Sequence, residues 1–165
     1  MTTPAPDRNE PALWSLGCLF VLKNRTDDLE LIDALVPPGY SPPVHRHDFG
    51  AESFYVIEGG ARFVVGDDEV TLGPGGFVRV PPSVPHSFQT LGDEPSRILD
   101  IVTPAGLWDF FADCGEPARE LRLPDEIRIP ADLPALVARY DGAVVGPPLA
   151  AANGSGSLTP VSLRN

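Results

Sequence analysis

Residues 39–59 read GYSPPVHRHDFGAESFYVIEG and contain two of the chain's three histidines, His45 and His47. Successive side chains of a β-strand point to opposite faces, so histidines at i and i+2 point the same way. Glu52 follows in the same stretch, and the third histidine, His86, lies in residues 75–90, GGFVRVPPSVPHSFQT. Imidazole and carboxylate ligands together suit divalent metals of the iron, nickel, copper and zinc group. The two stretches therefore predict one metal site built from His45, His47, Glu52 and His86.

The same two stretches resemble the two sequence motifs of the cupin superfamily. The first motif, G-x5-H-x-H-x(3,4)-E-x6-G, is met without a gap from residue 39 to residue 59. The second motif, G-x5-P-x-G-x2-H-x3-N, is met at three positions, while two positions carry serine and threonine where the family often has glycine and asparagine. Neither departure removes a ligand. The matching residues are Gly75, Pro81 and His86, and the departing residues are Ser83 and Thr90.

The resemblance implies an all-β fold, a double-stranded β-helix or jelly-roll barrel, and the spacing of the apolar runs agrees with it. Short apolar runs separated by Gly, Pro and Asp clusters are typical of sandwiches and small barrels. Gly59-Gly60 lies between two such runs and predicts a hairpin, and Asp67-Asp68 predicts a turn. The predicted strands are residues 16–23, 29–36, 53–58, 61–65, 69–72, 76–80, 86–91 and 97–102.

Two short helices are predicted after the strands. Leu107, Phe110 and Phe111 share one helical face, and Gly115 is a plausible end for that helix. Residues 133–140 predict a second helix, with Asp132 as its N-cap. The expected organisation is a flexible arm over residues 1–11, the barrel over 12–105, a C-terminal helical extension over 106–148 and a mobile tail over 149–165.

The amino-acid composition argues against two classes of partner, nucleic acids and membranes. The chain has 165 residues, with 23 acids against 12 Lys and Arg, a formal net charge of -11. An acidic surface repels phosphate backbones, and no basic run suggests an anionic membrane surface, so neither nucleic acid nor a membrane is expected as a partner. Cys18 and Cys114 do not make a disulfide framework and read as small apolar residues. Without a secretory signal or a membrane-spanning run, the expected compartment is the cytoplasm.

Strand parity predicts which side chains face the metal. If Glu52 points into the barrel, Phe54 and Val56 follow it, and His86 carries Phe88 inward in the same way. Phe63 is expected inside because its neighbour Arg62 prefers solvent. Phe54, Phe63 and Phe88 are therefore the predicted substrate contacts, in a pocket that suits a flat or hydrophobic ligand, although each of them could also be plain core. Asp48 is expected in a solvated loop, and Asp100 is expected to face outward.

Within the superfamily, FYVIEG at residues 54–59 and TPAGLWDFF at residues 103–111 are similar to small single-domain quercetin-dioxygenase-type cupins. The resemblance implies an oxidoreductase that opens a flavonol or a related enol-bearing aromatic with O2. It also implies one divalent metal per chain, which could be Fe, Ni, Mn, Co, Cu or Zn. Glu52 would act both as a ligand and as the base, with an apolar wall raising its pKa.

Two other functions stay open at this point. Small cupins resembling this chain also act as polyketide cyclases or isomerases, with the metal as a Lewis acid only, and others are non-enzymatic modules that bind a small ligand. The resemblance further suggests a homodimer, with Trp14 and residues 16–23 as candidates for its interface. Trp108 is expected to pack its helix on the barrel.

Overall fold

The structure, a computed structural model, describes residues 10–151. Most of the predicted flexible arm and most of the predicted mobile tail lie outside these residues. Within them, twelve strands form two antiparallel sheets and two short helices follow the barrel strands. This architecture confirms the predicted all-β, jelly-roll fold with short C-terminal helices. No helix in the described part of the chain is long and apolar enough to cross a membrane.

Seven strands form the first sheet and five form the second. The strands of the first sheet are β1 (Ala12–Ser15), β2 (Cys18–Arg25), β3 (Glu30–Val36), β5 (Ala51–Glu58), β8 (Phe77–Val80), β10 (Ser96–Thr103) and β11 (Gly115–Pro117). Those of the second are β4 (Pro43–His47), β6 (Ala61–Val65), β7 (Asp68–Leu72), β9 (His86–Thr90) and β12 (Gly142–Pro148). Their spatial order is β11-β1-β2-β3-β10-β5-β8 in the first sheet and β12-β4-β9-β6-β7 in the second.

The inner faces of both sheets are set by strand alternation. On β10 every second residue is buried, including Ile98 and Val102, and the residues between them are partly exposed. On β5 the predicted parity is confirmed, because Glu52, Phe54 and Val56 are buried while Tyr55 is exposed. A cluster between the two sheets at one end of the barrel, here called the packed end, consists of Phe54, Val56, Ala61, Phe63, Leu72, Val80 and Ile98.

The strand predicted over residues 16–23 is present as β2 (Cys18–Arg25), but its predicted start is wrong, because the chain turns at Leu16 and Gly17. Both residues have positive φ, 54° and 86°, and the strands on either side pair with each other as an antiparallel hairpin. A Cβ at Gly17 would lie 2.9 Å from the side chain of Ile127. Glycine at position 17 therefore allows the positive φ and leaves room for the Ile127 side chain. The continuous apolar run in the sequence hid this turn.

The predicted hairpin at Gly59-Gly60 is also wrong, because β5 belongs to the first sheet and β6 to the second. Gly59 has φ 75°, and a Cβ there would lie 2.5 Å from Ser96 Oγ. The Gly60 N–H donates to the same oxygen at 3.1 Å, and Ser96 Oγ donates back to the Gly60 carbonyl at 3.0 Å. The glycine pair is a corner that carries the chain from one sheet to the other. By contrast, the predicted turn near Asp67 does join the paired strands β6 and β7.

The two helices are α1 (Leu107–Cys114) and α2 (Leu133–Arg139), close to the predicted ranges. Gly115 ends α1 as expected, whereas Asp132 takes the N-cap position of α2 without a side-chain capping bond. Trp108 is buried against the barrel, as predicted. Trp14 donates from its indole nitrogen to the Arg122 carbonyl at 2.8 Å within the chain. The homodimer, with Trp14 at its interface, stays a prediction.

Two strands lie within the segment for which the sequence indicated only helices. β11 pairs with β1 at one edge of the first sheet, and β12 pairs with β4 at one edge of the second. In the β12 pairing Gly142 is opposite His47 and Val144 is opposite His45. The segment after the barrel therefore returns to support the strand that carries the histidine pair.

Candidate metal centre

Three strands bring the four predicted ligands together. His45 and His47 lie on β4, Glu52 on β5 of the facing sheet, and His86 begins β9, where it is the register partner of His45. One possible ligand atom from each of the four side chains lies within 4.8 Å of the other three. His47, Glu52 and His86 are buried and His45 is partly buried. The sequence spacing thus produces a compact donor cluster that could hold a metal ion.

Backbone carbonyl groups fix the orientation of two of the imidazole rings. Nδ1 of His45 lies 2.7 Å from the Pro43 carbonyl oxygen, and Nδ1 of His86 lies 2.9 Å from that of Val84. A carbonyl oxygen only accepts, so each Nδ1 carries the proton and donates it. In a neutral imidazole the other nitrogen, Nε2, then carries the free lone pair that a metal requires.

The contacts around Glu52 test whether the cluster fits a cation. Glu52 Oε2 lies 2.9 Å from His86 Nε2 and 3.3 Å from His47 Nε2. His47 Nε2 is buried and, among residues 10–151, makes no hydrogen bond. A lone pair and a carboxylate oxygen at such distances repel each other unless a proton or a cation lies between them. The donor set and this unpartnered nitrogen therefore fit a divalent transition metal.

The pKa values of two histidines reflect this crowding. Burial, aided by the neighbouring His86 and His47, lowers the pKa of His45 to about 4, so the ring is neutral near neutral pH. Burial also lowers the pKa of His86, but its hydrogen bond with Glu52 outweighs burial, and the net shift is upward. Neutral imidazole is the form that binds metal, which His45 already provides.

The expected raised pKa of Glu52 is contradicted by the structure. Burial does raise the pKa of this carboxyl group, as the sequence suggested, but His47 and His86 beside it lower the pKa further than burial raises it. The net result is a pKa well below the usual value for glutamate. Glu52 is therefore ionised, which is the state required of a metal ligand.

Residues 33–102 match the sequence profile of the family described as Cupin domain. The matched segment runs from β3 to β10 and contains all four residues of the donor cluster. This part of the chain is a cupin domain. The predicted superfamily is thereby confirmed.

Two relatives share the cupin region at low identity. Quercetin 2,3-dioxygenase of Bacillus subtilis is 27% identical over 95 residues, which cover 58% of this chain and 28% of that protein. An uncharacterized protein of Methanocaldococcus jannaschii is 29% identical over 69 residues, covering 42% of this chain and 55% of that protein. The chain thus spans about a quarter and about half of the length of these two relatives.

Among solved structures, an RmlC-like cupin from Shewanella frigidimarina superposes with a TM-score of 0.54 at 20% identity. The alignment covers 63% of this chain and 93% of that protein. At this identity the likeness concerns the fold, and it agrees with the two facing sheets described above.

The two departures from the second cupin motif have visible structural consequences. Ser83 stands where the family often has glycine, and its φ is 65°, in the left-handed region that favours glycine. Its N–H donates to the His47 carbonyl at 2.7 Å, which ties the turn before His86 to β4. Thr90, where the family often has asparagine, donates to the Pro37 carbonyl at 2.6 Å and accepts the Tyr40 N–H at 2.9 Å. Both residues therefore anchor backbone near the cupin site.

A narrow cavity of about 100 Å³ opens beside the donor cluster. Phe54 and Phe88 belong to its wall, as predicted, but Phe63 does not. The Phe63 ring instead lies behind them, with its centroid 5.3 Å from that of Phe54 and 5.7 Å from that of Phe88. The cavity continues beyond the cupin strands to side chains of the two helices, among them Leu107, Phe110, Phe111, Leu133 and Val137.

The sequence did not predict the polar groups of this cavity other than the ligands. Tyr40 lies within its wall and hydrogen-bonds with Cys18, where burial raises the pKa of the thiol to about 12. This inert, buried Cys18 and the half-buried Cys114 confirm the interpretation of both as small apolar residues. A tyrosine in a proline-rich loop gave no signal that its ring turns inward.

Of the two predictions made for acidic residues near the site, one is confirmed and one is wrong. Asp48 is exposed and pairs with Arg46, as expected for a solvated loop. The expectation that Asp100 faces outward is wrong, because it is only 4% exposed and lies in the cavity wall. It follows the inward alternation of Ile98 and Val102 on β10. Burial, together with the negative charge and hydrogen-bonding contact of Glu52, raises its pKa well above the usual value.

Proposed function

We propose that this chain is a metal-dependent oxygenase that opens a flavonol or a related enol-bearing aromatic with O2. The observation that carries the proposal is that three histidines and a glutamate converge beside an apolar cavity. His45, His47, Glu52 and His86 would hold one divalent metal ion, and Glu52 would also accept the substrate proton. A divalent cation bound there would stabilise the anion of an enolic hydroxyl group and so ease its loss of a proton.

The cavity supports an aromatic substrate. Phe54 and Phe88 line the same cavity as three of the four proposed ligands, and the phenylalanines of α1 also belong to its apolar wall. Aromatic rings bind in such walls by burying flat apolar surface, while a few polar groups fix the orientation. The substrate's oxygen atoms would face the histidines and its ring system would lie against the phenylalanines. Apolar side chains of both helices also line the cavity.

Glu52 has the position and the ionisation state of a proton acceptor. It is 5% exposed, lies in the cavity wall and is kept ionised by the adjacent histidines although burial opposes this. An ionised carboxylate with little access to water can take a proton from a hydroxyl group placed within hydrogen-bonding reach. The 27% identity with a quercetin 2,3-dioxygenase favours oxygen as the second substrate, although that relative is much longer than the matched region.

The test combines oxygen uptake with one variant and one control. Purified protein loaded with Fe(II), Ni(II), Mn(II), Co(II), Cu(II) or Zn(II) is given quercetin, 3-hydroxyflavone and a panel of 1,3-diketones. We expect oxygen uptake to match substrate loss with at least one metal and one substrate. We expect Glu52→Gln to retain part of its metal yet lose activity by about 100-fold or more. Glu58→Gln, an exposed substitution on the same strand, is expected to keep full activity.

Product formation in the absence of oxygen would contradict the oxygenase assignment and favour a cyclase or isomerase in which the metal is only a Lewis acid. Full activity of Glu52→Gln would contradict the role of this residue as the base. No turnover of any probe, together with tight binding of one of them, would favour a ligand-binding module.

A further inference from the structure

Asp100 is a buried carboxyl group that the proposed chemistry does not use. It lies near the middle of β10 with 4% of its surface exposed, in the wall of the same cavity as Glu52. One of its oxygens, Oδ1, is buried and has no hydrogen-bond partner within residues 10–151. Acids are almost never fully buried unless they are paired. The position of this residue therefore needs an explanation beyond packing.

The pairing of strands explains why Asp100 reaches Glu52. On the inner face of the first sheet, Val102 is directly opposite Glu52 and Asp100 is directly opposite Phe54. Asp100 is thus the diagonal neighbour of Glu52 on the same face, a distance that longer side chains can span. The two carboxyl groups are in hydrogen-bonding contact. On the other side of Glu52, its partner on β8 is the apolar Val80.

Glu52 is therefore held from two directions. Its Oε2 faces His47 and His86 of the second sheet, and its carboxyl group also contacts Asp100 of its own sheet. A hydrogen bond between two carboxyl groups needs one proton, because neither charged carboxylate can donate. A metal ligand is ionised, so the proton of the pair would lie on Asp100 when Glu52 binds a cation. This arrangement limits the rotation of the Glu52 side chain.

Folding stability alone does not account for an aspartate at this position. A buried carboxyl oxygen without a partner destabilises the native state, and an apolar side chain of similar size avoids that cost. The neighbouring positions on the same face of the strand are indeed apolar, Ile98 and Val102. Asp100 is unfavourable for folding and lies next to the proposed ligand Glu52, which indicates that it has a role at the metal site.

We propose that Asp100 is a positioning residue of the metal centre, which hydrogen-bonds the carboxyl group of Glu52 and keeps it turned toward the three histidines. The inference rests on the proposed metal site. Asp100 does not itself coordinate the ion. Residues that hydrogen-bond a metal ligand commonly contribute about 10- to 100-fold to metal affinity, and we expect a contribution of this order from Asp100.

The experiment compares Asp100→Leu with Asp100→Asn in the full chain. Leucine is close in size but makes no hydrogen bond, whereas asparagine keeps a donor in the same place. Co(II) is the probe, since its visible absorption bands report the coordination geometry and its affinity can be measured against a chromophoric chelator. Val56→Ala serves as the control for a simple loss of packing, because Val56 is fully buried on the strand of Glu52 but lies outside the cavity wall.

We expect Asp100→Leu to lower Co(II) affinity by about 10- to 100-fold and to change the Co(II) spectrum. The melting temperature of its metal-free form should stay close to that of the wild type, since removal of a buried unpartnered oxygen offsets loss of the hydrogen bond with Glu52. Asp100→Asn should stay within about threefold of wild-type affinity and keep the wild-type spectrum. Val56→Ala should melt at a lower temperature and bind Co(II) as the wild type does. If Asp100→Leu does not fold, Asp100→Ala gives the same comparison.

The outcomes separate this inference from the proposed function. A wild-type protein that binds no Co(II) overturns the metal site and this inference with it. A wild type that binds Co(II), with unchanged affinity and spectrum in Asp100→Leu, overturns only the positioning role. A loss of affinity in Asp100→Leu that is accompanied by a melting temperature as low as that of Val56→Ala, or that Asp100→Asn does not rescue, would assign Asp100 a structural role instead.

Discussion

The two ends of the barrel are built on different principles. At the packed end, Phe54 and Phe63 pack with Val56 and Ile98 in a cluster of apolar side chains. The other end, here called the polar end, gathers His45, His47, Glu52, His86 and Asp100 in the same interior. Two polar atoms of that end, His47 Nε2 and Asp100 Oδ1, have no hydrogen-bond partner in the described part of the chain.

The packed end stabilises the fold of the domain, whereas the polar end carries the groups proposed for its function. Each buried polar atom without a partner costs about 1–3 kcal/mol of stability, so the polar end lowers the stability that the packed end provides. Departures from local consistency of this kind are expected at functional sites. We expect substitutions at the polar end to change metal binding and pH dependence, and substitutions at packed-end residues outside the cavity wall, such as Phe63, to change stability alone.

The largest effect is expected from the removal of a ligand at the polar end. His86→Ala should weaken metal binding by about 100- to 1000-fold, because four ligands share the binding free energy of a structural or catalytic site. The measurement is the dissociation constant of Co(II) or Zn(II) by competition with a chelator. Unchanged affinity in this variant would show that the polar end is not the binding site.

The polar end, unlike the packed end, should also make the free energy of unfolding depend on pH in the acid range. Because the folded-state pKa of His45 is about 4 against an ordinary 6.5, the unfolded chain takes up a proton between these values and the folded chain does not. The contribution of His45 to stability is therefore complete above the ordinary pKa and is lost as the pH falls toward 4.

His45→Leu isolates this contribution in chelator-treated protein. Between about pH 7.5 and about pH 5, the wild type should lose at most about 2 kcal/mol more of its unfolding free energy than the variant does. This loss of unfolding free energy is an upper bound, because His45 is only partly buried and solvent weakens its electrostatic interactions. Urea denaturation at the two pH values gives the difference. Parallel losses in both proteins would show that His45 is already charged or exposed in the native state.

The smallest effect in this series is expected from Phe63→Leu at the packed end. Phe63 is 1% exposed and contacts the cavity phenylalanines from behind. The smaller side chain should lower the unfolding free energy by about 1–2 kcal/mol, equally at both pH values, because it leaves a small void. Metal affinity should stay at the wild-type level. A large loss of affinity in this variant would mean that the two ends are coupled rather than distinct.

Sequence reasoning succeeded where a local pattern decides the structure. The i, i+2 spacing of His45 and His47 and the alternation through Glu52 and Phe54 both follow from strand geometry, and the structure reproduces them. The donor cluster was recognisable for the same reason, since the motif spacing encodes which strands face each other. Here two short stretches, residues 39–59 and 75–90, contained the information.

The failures concern relations between distant segments. The Gly59-Gly60 pair carries a turn signal that is the same for a hairpin and for a corner between sheets, and only the position of Ser96 distinguishes them. β12 ends in two prolines, so its pairing with the histidine strand was hidden by a composition typical of loops. Asp100 was placed outside because acids usually are, and its burial depends on Glu52 across the sheet.

The most direct test of the metal centre is elemental analysis of the protein purified without added metal, followed by titration of the chelator-treated protein with Co(II). We expect one ion per chain, bound by three histidines and one carboxylate with a dissociation constant on the order of micromolar or lower, and bound about 100- to 1000-fold more weakly in His86→Ala. A protein that contains no transition metal and takes up no Co(II), or that binds it equally well without His86, would show that these four residues do not form a metal centre.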